Sequence, residues 1–187
     1  MFVDPAATSF SNEKMKIRIL GLDPGSRVTG FGIVEFDGGA VSYLRHGAFN
    51  LFSENPDFTQ RLALLGQELR KILIEYRPQH VAIERVFLGR NADSAFKLGH
   101  ARGVAVYEST LMGCEFHEYA SREVKKGVTG NGAAEKAEVM AVVHRLLKVP
   151  KGTGFEKSYD ASDALALAYF HCQKLQLQNL IRRSVQI

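Results

Sequence analysis

The stretch ILGLDPGSRVTGFGIVEF, Ile19 to Phe36, constrains this chain more than any other. An apolar run ends on a carboxylate, Asp23, a turn signal follows at Pro24 and Gly25, and a second apolar run returns. Apolar runs separated by Pro and Gly read as a β-hairpin, here with strands over 17–23 and 29–36. Asp23 then stands where the sheet stops and solvent or ligand begins. Its carboxylate faces its own turn, a nucleotide phosphate or a metal ion.

The remaining periodicities extend this hairpin. Alternation over 40–50 suggests a third strand. Leu62, Leu65, Leu69, Ile72 and Leu73 form one helical stripe, opened by Asn55-Pro56 and closed by Pro78. HVAIE (80–84) is a short buried-type strand that ends on Glu84. Residues 91–113 read as a helix in which Gly99, Ala101, Gly103 and Ala105 allow close approach of a neighbour. A fifth strand covers 115–119, a helix covers 133–148 through Val139, Val142, Val143, Leu146 and Leu147, and the last helix covers 160–180. Three antiparallel strands leading into βα units make an α/β fold, a mixed five-stranded sheet with helices on both faces. That order resembles a ribonuclease H-like domain. Residues 16–180 are expected to form one such nuclease domain. Residues 1–15 are expected to be a disordered tail, with Met15 as an alternative start.

Composition narrows the class. Of 187 residues, 45% are hydrophobic, which suits a packed core. No apolar run approaches the roughly 18 residues of a membrane span, and the first residues lack the pattern of a signal peptide. A cytoplasmic protein with no membrane partner is expected. Cys114 and Cys172 stand far apart with no second ligand beside them, so reduced buried thiols are expected. His46, His80, His100, His117, His144 and His171 share no metal spacing, and none is assigned a catalytic role. The net charge of +4 does not establish nucleic-acid binding by itself, but acids gathered in one site would leave the remaining surface more basic.

The acids fall at the ends of elements. Asp23 ends the first strand and Glu84 the fourth, while Asp160 and Asp163 stand three apart at the start of the last helix, on one face. Each has an ordinary reading alone: an Asx-turn for Asp23, an ion pair with Arg85, Arg90 or a residue elsewhere for Glu84, an N-cap for Asp160. Asp163 is harder to dismiss, because its helix is otherwise written in Ala, Leu, Tyr and Phe, and a buried acid needs a partner. Four converging carboxylates would repel one another unless divalent metal neutralised them. Oxygen-only ligands suit Mg²⁺ or Mn²⁺. Two such ions can activate a water and stabilise the leaving oxygen of a phosphodiester.

Four blocks in order, GLDPGSRVTGFGIV (21–34), AIERVFLGRNADSAFKLGHARGVA (82–105), YASREVKKGVTGNGAAEK (119–136) and DASDALALA (160–168), closely resemble the RuvC family of bacterial Holliday-junction resolvases. The resemblance runs from about Lys16 to Cys172. It implies that Asp23, Glu84, Asp160 and Asp163 are catalytic metal ligands holding Mg²⁺, with two ions per site and Mn²⁺ as a substitute. It implies a homodimer that nicks two strands of a four-way DNA junction symmetrically, leaving 5′-phosphate and 3′-hydroxyl ends, in recombination and repair beside the branch-migration proteins RuvA and RuvB. Lys125 and Lys136 match basic positions the family uses on DNA, and Phe87 an aromatic that stacks on bases. Arg122 and Lys126 join those lysines around the GVTGNG segment, read as a flexible loop able to follow a phosphate backbone. Asn91, Ser94 and Lys97 are placed beside the groove. The family often carries Gln where this chain has Glu138.

Three other readings compete. A nucleotide-binding kinase or chaperone ATPase shares such a hairpin but needs two domains of this kind. A junction binder without catalysis would have little use for four acids. A nuclease acting on RNA–DNA hybrids would keep the chemistry and change the target.

Overall fold

The computed structural model describes residues 16–55, 57–85 and 92–185. Strands β1 (Ile17–Asp23), β2 (Thr29–Phe36) and β3 (Val41–Phe49) form an antiparallel meander. Helices α1 (Leu51–Glu54) and α2 (Phe58–Tyr76) lead into β4 (His80–Glu84), which pairs parallel to β1. Helix α3 (Ala92–Leu111) leads into β5 (Glu115–Tyr119), parallel to β4. Helices α4 (Ser121–Thr129), α5 (Lys136–Leu147) and α6 (Tyr159–Val185) complete the order, with one 3₁₀ turn at Phe155–Lys157. The sheet runs β3-β2-β1-β4-β5, mixed and five-stranded as expected.

Strand parity sorts the side chains between two cores. Leu20, Leu22, Ile33, Val81 and Ile83 point to one face and bury Leu69 and Leu73 of α2 and Ala105 of α3. Ile19, Val34, Phe36 and Ala82 point to the other, against Val124 of α4, Val143 of α5 and Leu165 of α6. Helices therefore cover both faces. The first half of α6 is apolar nearly all round and buried between sheet and helices, whereas its end is exposed.

Several boundaries differ from those expected. The α2 N-cap is Asp57, whose carboxylate accepts from the Gln60 N–H, while Pro56 lies outside the described residues. The 160–180 helix begins one residue earlier and runs on to Val185. Its first turn is capped by Ser158, whose hydroxyl accepts from the Ala161 N–H, so Asp160 is not its N-cap. The largest correction concerns GVTGNG. Gly127, Val128 and Thr129 belong to α4, closed by Gly130 in the left-handed region, because Val124 and Val128 lie one turn apart and bury together. Residues 1–15 lie outside the described residues.

Candidate functional site

The same parity that builds the second core sets Asp23 and Glu84. Both continue the residue set that faces α6, one position beyond the Leu22–Ile83 pair of the parallel β1–β4 ladder. The sheet presents glycine where α6 crosses it. A Cβ at Gly21 would collide with the Ala164 carbonyl, and one at Gly30 with the Asp160 backbone. Gly30 is also the register partner of Asp23. Helix α6 thus lies directly on β1 and β2, with Asp160 and Asp163 delivered to the strand ends.

Burial pushes the Asp23 carboxyl up to about 7, and the charges of Asp163, Glu84 and Asp160 push the same way, against Lys136. The other three predicted acids are therefore all close enough to act on Asp23. Glu84 is also raised, chiefly by burial and then by Asp163, although a hydrogen bond from Ser121 and the charges of Lys136 and Lys125 oppose the shift. Lys136 Nζ lies 3.1 Å from Asp163 Oδ2. Burial works against its charge, but the bond to Asp163 and the charges of Asp163, Asp23 and Asp160 prevail, and its pKa is raised. Lys136, the first residue of α5, is the partner that Asp163 required.

A cavity of about 210 Å³ is lined by Asp23, Glu84, Asp163, Ser121, Lys125 and Lys136 together with apolar residues of α4–α6, and Asp160 is not among its lining residues. Lys125 donates to the Ala134 carbonyl at 2.8 Å and so ties α4 to the turn before α5. Arg122 and Lys126 lie on the exposed side of α4. Phe87, Arg90 and Asn91 lie outside the described residues. Lys97 pairs with Asp93 one turn away at 2.6 Å, and Glu138 is exposed in the first turn of α5.

Two positioning residues escaped the sequence. Ser121, the first residue of α4, hydrogen-bonds the Glu84 carboxylate. Arg102 of α3 donates to the Glu84 carbonyl at 2.9 Å and pairs with Glu118, holding the ends of β4 and β5. The Asx-turn alternative for Asp23 loses its natural donor, since the Gly25 N–H goes to Thr29 Oγ1.

The donor set is chemically specific. Four carboxylates at a sheet end, with Asp23 at about 7, suit a hard divalent cation such as Mg²⁺ or Mn²⁺ far better than a thiolate- or imidazole-seeking ion. Asp23, Glu84, Asp160 and Asp163 are the residues that would hold it.

Comparison with known proteins identifies the family. The family model "Crossover junction endodeoxyribonuclease RuvC" matches residues 19–171. The RuvC of Bdellovibrio bacteriovorus is 47% identical over 92% of this chain and all of its own length. That of Geobacter sp. is 42% identical over 88% of this chain and 97% of its own. Among solved structures, Thermus thermophilus RuvC in complex with a Holliday junction substrate superposes with a TM-score of 0.78 at 25% identity, covering 87% of this chain and 96% of that one.

Proposed function

The chain belongs to the crossover junction endodeoxyribonuclease RuvC family, and from that premise we propose that its four carboxylates are the catalytic site of a metal-dependent Holliday-junction resolvase. The observation that carries this reading is Asp23, desolvated, surrounded by three further carboxylates and raised to about 7. Such a group gains most from a bound cation.

Bound Mg²⁺, one ion or two, supplies charge neutralisation and an activated water at the scissile phosphodiester. The protein's own residues do the rest. Asp23 and Glu84 present oxygens from a rigid sheet, and Asp160 and Asp163 from a helix pressed against it. Ser121 and Arg102 fix Glu84 from its two ends. Lys136, paired with Asp163, and Lys125 both line the carboxylate cavity and offer positive charge to an incoming phosphate. Arg122 and Lys126 extend the positive surface outward along α4, where a phosphate backbone can be followed. Phe87 is assigned to base stacking by its match to the family.

The exposed face of α3 supports a homodimer. Phe96, Tyr107 and Leu111 are 71%, 60% and 60% exposed, and a Cβ at Gly99 or Gly103 would meet nothing within 4 Å. A symmetric pair of sites is what paired nicking of a four-way junction needs. Residues 16–180 are read as one nuclease domain, acting on DNA in the bacterial cytoplasm alongside RuvA and RuvB. Among the described residues no helix is long and apolar enough to cross a membrane.

The test is a synthetic mobile four-way junction and a linear duplex of the same sequence, each with Mg²⁺ or EDTA, beside Asp160→Asn. Paired symmetric nicks on the junction alone, lost in EDTA and in the variant, are expected. Tight junction binding without cleavage under Mg²⁺ and Mn²⁺ would overturn the catalytic assignment.

A further inference from the structure

The histidines do not stand apart as their spacing suggests. His80 begins β4, His117 lies in β5 and His171 in α6, and one nitrogen of each ring lies within 4.8 Å of one from each of the others. Parity explains the meeting: His80 and Glu115 are register partners in the parallel β4–β5 ladder, and His117 pairs with Ala82, which faces α6. The cluster is separate from the carboxylates. Asp163 and His171 are about two turns, or ~12 Å, apart along α6, and Glu84 occupies the other end of β4 from His80.

We propose that His80, His117 and His171 form a second metal site for a late first-row divalent ion, zinc above all, with Glu115, now beside His80 and His117 only, closing on the ion by rotation of its exposed side chain. Three observations carry it. First, His80 Nδ1 and His117 Nε2 share a hydrogen bond at 3.0 Å, whose proton an ion would replace, and Glu115 Oε2 is 3.7 Å from each. Tetrahedral zinc with bonds near 2.0–2.1 Å needs ligand atoms about 3.3 Å apart, so adjustments at these three atoms are a few tenths of an ångström. Second, His171 is 1% exposed, and its Nε2 is buried without a hydrogen-bond partner. A buried unpartnered nitrogen is costly, and a metal ion would satisfy it. Third, the outer shell is built. His171 Nδ1 is 2.6 Å from Tyr119 Oη. With Nε2 bound to an ion, Nδ1 carries the proton and donates to Tyr119, the arrangement that orients metal-binding histidines.

The ligand types choose the ion. Imidazole suits zinc, copper or nickel, while Mg²⁺ demands oxygen. Burial holds His80, His117 and His171 below the usual histidine range, so the rings are neutral and free to bind at neutral pH. With Glu115 drawn in, four protein ligands leave no open position, which makes the site structural. It would tie β4 and β5 to α6, and β4 and α6 carry Glu84, Asp160 and Asp163. Glu115, exposed at the surface, gives the ion its way in.

The test titrates the purified full chain with Co²⁺, whose visible absorption reports tetrahedral nitrogen coordination, and then displaces it with Zn²⁺. One tetrahedral Co²⁺ per chain is expected, distinct from any ion at the carboxylates, retained in Asp160→Asn and weakened by more than about 100-fold, the upper end of what outer-shell partners cost, in His117→Gln. Glu115→Gln, at an exposed position, weakens binding without endangering the fold. Overturning results are Co²⁺ uptake that survives His117→Gln and vanishes in Asp160→Asn, or a folded wild-type chain with no tetrahedral Co²⁺ species.

Discussion

At the scale of single residues, the carboxylate site opposes the stability of the protein that carries it. Asp23 keeps its proton in the folded state up to about pH 7, while the unfolded chain releases it near 3.8. Between those values the native state binds more protons than the unfolded one, so stability falls as pH rises through the window. Glu84 is shifted in the same direction and adds to the fall. For Asp23 the effect is at most about 4 kcal/mol, three pKa units at 1.36 each. In EDTA, therefore, urea unfolding should show a less stable protein at pH 8 than at pH 5. Asp23→Asn should flatten that dependence and gain about 1–3 kcal/mol at pH 8 within the same bound, while abolishing cleavage and leaving junction binding intact. A pH dependence as steep in Asp23→Asn as in the wild type would remove Asp23 as its source. Glu84→Gln, Asp160→Asn and Asp163→Asn should each abolish cutting with binding retained, and activity in any of them removes that residue from the site.

Elements decide whether these residues meet, and here the two close approaches of α6 are the sensitive points. Gly30→Ala would drive a Cβ into the Asp160 backbone, displacing one acid by the shift of a helix end. Cleavage should fall by at least 10-fold, with a stability loss of about 1–3 kcal/mol for overpacking. Unchanged Mg²⁺ dependence would mean that Asp160 tolerates the displacement. Helix α4 separates the basic residues in a comparable way. Arg122→Ala and Lys126→Ala, on its exposed side, should weaken junction binding and lower its salt slope by about one unit each. Lys125→Ala should in addition destabilise the protein, because it frees the Ala134 carbonyl. Identical stability in all three variants would show that the Lys125 contact carries no weight. The legibility of the sequence follows the same division. The four acids could be read because each lies at the end or start of an element whose periodicity is visible, and the mixed five-stranded sheet followed from the succession of those elements. Helix α4 was hidden because SREVKKGVT is short and ends in Gly and Thr, leaving Val124 and Val128 as its only apolar signal. Ser121, Arg102 and the Lys136–Asp163 pair depend on contacts between elements, which local spacing does not encode. The three histidines are the clearest case: two parallel strands and a helix bring them together from distant parts of the chain.

For the whole molecule, the outstanding quantity is how many sites act at once. Among the described residues one chain shows one carboxylate cavity, and a junction resolved by two symmetric nicks requires two. Ala101 and Ala105 of α3 are buried within the chain, which consumes half of the small-residue set read from the sequence. Gly99 and Gly103 remain on the open side with Phe96, Tyr107 and Leu111, around an apolar groove of about 650 Å³ lined by Gly99, Gly103, Val106, Tyr107 and Leu111. An exposed apolar face of this kind is available for burial against a second copy. Tyr107→Glu places a charge there, far from the carboxylates. Sedimentation should show a dimer converted to monomer, and unfolding of the monomer should remain close to wild type, since Tyr107 is exposed within the chain. Because each chain keeps its own four acids, Mg²⁺ binding should persist. Paired nicking should give way to single nicks, with the second cut slowed by at least 10-fold. A variant that stays dimeric and still cuts in pairs places the interface elsewhere. One that becomes monomeric yet nicks both strands together would show that pairing does not depend on association through α3.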